Sequence, residues 1–226
     1  MLADGAVHVW RADLATVAED LGELLCGEER ARAQRMVDER DGELWRRSRG
    51  LLRALLGRYL QREPRSLRFA AGEHGKPVLA RNADESPAAR RRSSAESPSP
   101  PELSFNMSHS GRLALYAFSE VGAVGVDVEV ARRPIDEVAI AARALGAAEA
   151  RRLQALDPAT RRREFLRAWA RHEAELKCLG VGIGGADGAI AGRRPWIAQL
   201  ELGPDVAAAV AAERPARELR CWDWRL

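Results

Sequence analysis

The chain has 226 residues, 46% apolar and 31% charged, with 36 basic against 33 acidic side chains. A chain of this length and apolar share can bury one large core or two small ones, which excludes wholesale disorder. The net charge of +3 permits nucleic-acid binding without indicating it, and the longest apolar runs, such as 206–212, fall far short of the roughly 20 residues of a membrane span.

In chain order, the alternation around Val7 and Val9 predicts an opening strand, and 14–26 and 28–37 read as helices. A longer helix is expected over 41–61, where Leu44, Trp45, Leu51, Leu52, Leu55, Leu56 and Tyr59 recur at helical spacing before Pro64. A short strand at 67–70 precedes a Gly75-Lys76-Pro77 turn. Residues 81–101, rich in Ser, Pro, Ala and Glu with an Arg90-Arg91-Arg92 run, read as a linker or long surface loop. Strands at 113–118 and 123–130 are close enough across 120–122 to form a hairpin. Helices follow at 135–145, 147–156 and 158–179, the last stopped by Gly180. Three antiparallel strands are expected at 196–202, 206–212 and 217–224. Mixed β and α in each half makes the fold α+β, with the linker dividing an N-terminal half, 1–102, from a C-terminal half, 103–226.

No basic region precedes an apolar core at the N-terminus, so no secretory signal is apparent. Cys26, Cys178 and Cys221 fit neither a disulfide framework nor a zinc site, and a reducing cytoplasm is the expected setting. Lys76 and Lys177 are the two lysines in a chain that otherwise uses arginine, which marks either two places where a compact ammonium matters or a chance survival of two lysines.

Asp127 and Glu129 stand two apart in a predicted strand and share a face. Glu173 and Lys177, four apart on the long helix, also share one. If helix and strand pack together, Asp127, Glu129 and Glu173 offer oxygen ligands to Mg²⁺, a cation that also takes water and substrate phosphate. The alternative is a solvated strand face and an ordinary surface ion pair, worth about 0.3–0.5 kcal/mol. His109, in Phe105-Asn106-Met107-Ser108-His109-Ser110-Gly111, belongs either to a hydroxyl-rich phosphate cradle or to a polar strand start. A serine–histidine hydrolase is disfavoured, because adjacent strand residues point to opposite faces and no nucleophile elbow is present.

Together, Gly75-Lys76-Pro77, the Phe105–Gly111 segment, Gly125-Val126-Asp127-Val128-Glu129 and Trp169-Ala170-Arg171-His172-Glu173-Ala174-Glu175-Leu176-Lys177 resemble the surfactin-type phosphopantetheinyl transferases over nearly the whole chain. The resemblance implies two similar α+β halves related by a pseudo-twofold, with coenzyme A in the cleft between them. It implies that Asp127, Glu129 and Glu173 hold Mg²⁺, that Lys177 neutralises pyrophosphate charge, and that Glu173 takes the proton from the serine of an acyl, polyketide or peptidyl carrier protein. The leaving group would be 3′,5′-ADP. Arg32, Arg49 and Arg53 resemble basic positions near the nucleotide's 3′-phosphate, although the helix opens with Asp41-Gly42-Glu43 rather than an Asp followed by arginines. Lys76 and Pro77 resemble the loop beside the adenine, and Ser108 and His109 the segment touching the phosphates. His172 stands where the family ordinarily has lysine. A cytoplasmic monomer follows, with neither nucleic acid nor membrane as partner. Two rivals are a D…ExK nuclease using Asp127, Glu175 and Lys177, and a non-enzymatic binding module that keeps the fold.

Overall fold

The computed structural model describes residues 5–71, 77–80, 103–120, 122–131, 134–181 and 194–225. Lys76 and the 81–101 stretch lie outside them. The strands are β1 (Ala6–Asp13), β2 (Phe69–Ala71), β3 (Pro77–Leu79), β4 (Ser104–Ser110), β5 (Leu113–Ser119), β6 (Val124–Val130), β7 (Trp196–Gln199), β8 (Val206–Ala212) and β9 (Glu218–Asp223). The helices are α1 (Gly27–Gln34), α2 (Glu39–Leu60), α3 (Glu137–Ala144), α4 (Ala147–Gln154) and α5 (Pro158–Leu179). The protein is α+β, and each half repeats an order of strand, shorter helical segments, a 22-residue helix and further strands.

Period-2 alternation gives each of the two larger sheets one face for the other sheet and one for a helix, four layers in all. On the first sheet, β4-β5-β1-β9, Ala6, Ala12, Phe105, Tyr116 and Phe118 pack under Leu51, Leu52, Leu55 and Leu56 of α2. The opposite face, Val7, Val9, Leu115 and Ala117, meets Val124, Val126, Val128, Ala208 and Val210 of the second sheet, β6-β8-β7. The far side of that sheet, Ala207, Ala209 and Ala211, carries Phe165, Leu166, Ala170, Ala174 and Cys178 of α5. The order is therefore helix, sheet, sheet, helix.

The long helices form where their ends are capped. Asp38 accepts the amides of Arg40 and Asp41, so α2 begins before Asp41, and Gln61 closes it in the left-handed region. Asp157 accepts the amides of Ala159 and Thr160, Pro158 takes the first turn, and Gly180, at φ 74°, stops α5.

Three expectations are corrected. Residues 14–26 form a short 3₁₀ turn at Glu19–Leu24 because Arg47 of α2 donates to the carbonyls of Leu14, Ala15 and Val17, drawing them away from any helix. The strands flanking residues 120–122 do not make a hairpin. β5 pairs with β4 and β1, whereas β6 pairs with β8, and Gly122, at φ 117°, takes the chain between sheets. The closing strands are not one antiparallel set, since β9 crosses to the first sheet and runs parallel to β1. A line between residues 102 and 103 runs through the first sheet, because β4 and β5 pair into it with β1. Among the described residues no helix is long and apolar enough to cross a membrane.

Candidate active site

Val124, Val126 and Val128 enter the core between the sheets, so the pleat turns Gly125, Asp127 and Glu129 toward α5. Helix α5 comes down unusually close here. An added Cβ on Gly125 would lie 2.1 Å from the Ala174 carbonyl oxygen and 2.4 Å from the Cys178 amide nitrogen, a space that only glycine leaves. Ala170, Ala174 and Cys178 give the helix a small-residue face, which sets Glu173 and Lys177 against the carboxylates.

Lys177 Nζ lies 2.6 Å from Asp127 Oδ1 and also donates to Ser108 Oγ at 3.1 Å and to the Val126 carbonyl at 3.3 Å. Ser108 donates to Asp127 Oδ1 at 2.8 Å, and Ser110 lies 3.5 Å from Glu129 Oε2. Asp127 is 3% exposed. Its Oδ2 and Glu173 Oε1 are buried with no hydrogen-bond partner among the described residues. Burial pushes the Glu173 carboxyl above its ordinary range; Lys177 opposes this and Asp127 adds to it. Burial followed by the Asp127 charge raises Glu129 as well, against Lys177 and hydrogen bonds from Ser110 and Trp169.

Among the described residues no three ligand side chains already converge as a formed metal centre. The donor set nevertheless fits a hard divalent cation: it is all oxygen, two of its oxygens are buried and unsatisfied, and three carboxylates face one ammonium. The two charges left over match Mg²⁺. A buried carboxylate is costly unless paired, and one lysine cannot pair three.

The alternation of β4 aims Met107 and His109 at the first half. Crowding by protein atoms, then the Lys177 charge, push the exposed His109 ring below its usual pKa, with Asp41 opposing. A pocket of about 390 Å³ opens there, lined by Arg32, Trp45, Arg49, Phe69, Pro77 and Met107. Arg53 forms its floor. It is 1% exposed and commits itself to Glu29 and to the carbonyls of Pro64 and Leu67. Arg49 donates to the other Glu29 oxygen at 2.6 Å and lies over the Phe69 ring at 4.1 Å, while Arg32 lies over Trp45. Burial alone would raise Glu29, but the hydrogen bonds from Arg49, Arg53 and the Cys26 amide hold it below the ordinary range. Cationic and aromatic walls of this kind suit a phosphorylated nucleotide. A larger cavity, about 780 Å³, lies beside α5 near Arg163 and Asp205, where Arg162, Arg167 and Glu201 also mix both signs and select neither.

Asp127, Glu129, Glu173, Lys177 and Ser108 thus come together at one place, while His109, one residue on along β4, is exposed and points to the opposite face. Arg32, Arg49, Arg53 and Pro77 meet in the neighbouring pocket. Glu29, Trp45, Phe69 and Asn106 were not singled out from sequence. Glu29 carried no signal, because its arginine partners are 20 and 24 residues away. Glu175 and Lys177 both lie on α5, roughly 160° apart around its axis, so the strand-borne ExK of a nuclease is absent.

His172 faces away from this site, in a groove with Leu145, Ile197 and Glu175, its ring 6.3 Å from that of Trp169. Burial lowers its pKa, against Glu175, and keeps it neutral near pH 7. Its neighbours there are Trp169 and Ile197 rather than the three carboxylates. For the transfer that the resemblance implies, His172→Lys is expected to change the rate by less than about threefold; a gain above about tenfold in the same rate measurement would show that a cation is missing from the site.

The comparisons with known proteins agree with this layout. The family model for the 4′-phosphopantetheinyl transferase superfamily matches residues 123–215, and one for the 4′-phosphopantetheinyl transferase N-terminal region matches residues 9–121. The chain is 33% identical over 185 residues to the 4′-phosphopantetheinyl transferase HetI of Nostoc sp., covering 80% of this chain and 72% of that one. It is 28% identical over 156 residues to the 4′-phosphopantetheinyl transferase Sfp of Bacillus subtilis, covering 69% of this chain and 60% of Sfp. Two matched halves, joined where the chain passes between sheets, and an acidic site against α5 define a transferase. The chain belongs to the 4′-phosphopantetheinyl transferase superfamily.

Proposed function

We propose that the protein transfers the 4′-phosphopantetheine arm of coenzyme A to a serine of an acyl, polyketide or peptidyl carrier protein in the cytoplasm, with Mg²⁺ and with release of 3′,5′-ADP. The observation that carries this reading is the pair of buried, unsatisfied oxygens on Asp127 and Glu173, next to Lys177 and one strand away from the arginine pocket.

In this reading Arg32, Arg49, Lys76 and Pro77 hold the nucleotide, Arg53 supports them, and Ser108 and His109 border the pyrophosphate. Asp127, Glu129 and Glu173 would hold Mg²⁺, which supplies charge neutralisation at the phosphates. Glu173, whose burial raises its proton affinity, accepts the serine proton as the hydroxyl oxygen attacks the pantetheine-side phosphorus. The phosphorus–oxygen bond to the ADP portion breaks, and Lys177 stabilises the charge that develops on the departing phosphate. One chain supplies every group, so the working form is a monomer, and neither nucleic acid nor a membrane is required.

The test is intact mass of purified apo carrier proteins after incubation with the protein, coenzyme A and Mg²⁺. A gain of about 340 Da per carrier is expected for one arm; coenzyme A binding with no gain on any carrier would replace the enzyme by a binding module. The metal has a readout of its own. At a tenfold excess over its Kd, Mg²⁺ should add about 1.4 kcal/mol of stability and raise Tm by roughly 3–6 °C, and Asp127→Asn should abolish the shift. An equal shift in that variant would move the ion elsewhere.

A further inference from the structure

Strand β6 is an edge of the second sheet, and β4 is an edge of the first. Because β6 pairs with β8 on one side only, the backbone groups of Val126 and Val130 on its open side need partners from outside its sheet, and a buried amide left without one costs about 1–3 kcal/mol. No β4–β6 ladder provides them. Side chains do: Asn106 Oδ1 accepts the Val126 amide at 2.9 Å, and Ser110 Oγ accepts the Val130 amide at 3.1 Å. Between them Ser108 donates to Asp127. Asn106, Ser108 and Ser110 are alternate residues of one strand, so their side chains share a face and form a ladder of side chains against a backbone edge.

Asn106 is the buried member of that ladder, at 6% exposure. Its orientation is fixed by chemistry, because a backbone N–H can only donate and must therefore meet the amide oxygen. The Val126 carbonyl, on the same open edge, accepts from Lys177 Nζ of α5. Val126 is thus gripped by β4 through its N–H and by α5 through its C=O, and Asp127 is the next residue.

We propose that Asn106 is a positioning residue: it docks the edge of β6 on β4 and thereby fixes Asp127 relative to the arginine pocket, into which the neighbouring Met107 projects from the opposite face of the same strand. The hydrogen bond itself rests on geometry alone, and its catalytic consequence rests on the proposed transferase reading. Serine would be too short to reach the Val126 amide, glutamine too long, and aspartate would keep the acceptor while adding charge beside Asp127.

The test is Asn106→Ala, studied well below its Tm. Exchange of the Val126 amide, followed by NMR, should become at least about tenfold faster, because the acceptor that closes it is gone. The rate constant for transfer should fall about 10- to 100-fold with KM for coenzyme A within about twofold, since the ligand carboxylate is displaced while the nucleotide pocket keeps its own supports. Unchanged exchange at Val126, an unchanged kcat in the folded variant, or a rise in KM matching the fall in kcat would overturn the assignment. If the alanine variant does not fold, Asn106→Asp carries the test: Val126 should stay protected, and loss of that protection would equally overturn it. Failure of the transferase reading shows separately, as absence of transfer by the unaltered protein.

Discussion

Replacement of Glu173 by glutamine is expected to slow transfer of the arm by about 10²–10⁴-fold, the contribution usual for a positioned general base. The two side chains have nearly the same shape, so α5 should keep its place on the sheet. What changes is proton affinity and charge. Glutamine cannot take the serine proton, and it removes one of the three negative charges that would hold Mg²⁺ beside Lys177. Coenzyme A affinity measured without metal should stay within about threefold, because the arginine pocket lies in the first half and its cations are held by Glu29 and by aromatic rings. The assay is the time course of carrier mass, paired with calorimetric titration of coenzyme A. A transfer rate within about tenfold of the original would remove Glu173 from the proton-accepting role and leave a water or the carrier's own surroundings to fill it.

The second large effect is expected at a residue that carries no chemistry. Gly125→Ala puts a methyl group 2.1 Å from the Ala174 carbonyl oxygen, and backbone on α5 cannot swing aside as a flexible side chain can. Helix and strand must separate by about 1 Å. Overpacking of this kind typically costs about 1–3 kcal/mol, or roughly 2–12 °C in Tm for a chain of this size. Glu173 and Lys177 ride on the displaced helix, and a misplacement of about 1 Å at a reacting centre costs on the order of 100-fold in rate. Calorimetry and the carrier-mass assay, run well below both melting points, separate the two effects. Full activity with an unchanged Tm would mean that α5 has more freedom than its small-residue face implies.

Local periodicity fixed which side chains share a face; that those faces belong to one site came from the resemblance. The two-residue spacing of Asp127 and Glu129 and the four-residue spacing of Glu173 and Lys177 depend only on strand and helix geometry, and both hold. Arg32, Arg49 and Arg53 came from the resemblance, and the structure adds why they cluster: Glu29 draws the last two together, and Trp45 and Phe69 flank them. What the sequence concealed was tertiary. Residues 14–26 have helical periodicity, but Arg47 collects their carbonyls. The strands either side of residues 120–122 look like a hairpin because their spacing is short, yet each finds a longer β partner in a different sheet. Asn106 sat inside a recognised motif, and its function became visible only once β6 was known to leave an edge open toward it.

The parallel pairing of β9 with β1 bears on how the protein is made. The other strands of that sheet lie within residues 6–119, while β9 begins at Glu218. During synthesis the first half must wait for residues 120–217 before its outer strand arrives. Until then one edge of β1, carrying Trp10, faces solvent as a template for other chains. Such a long-range closure makes folding late and slow rather than vectorial, and it leaves that edge open to aggregation and chaperones for as long as residues 120–217 are being made.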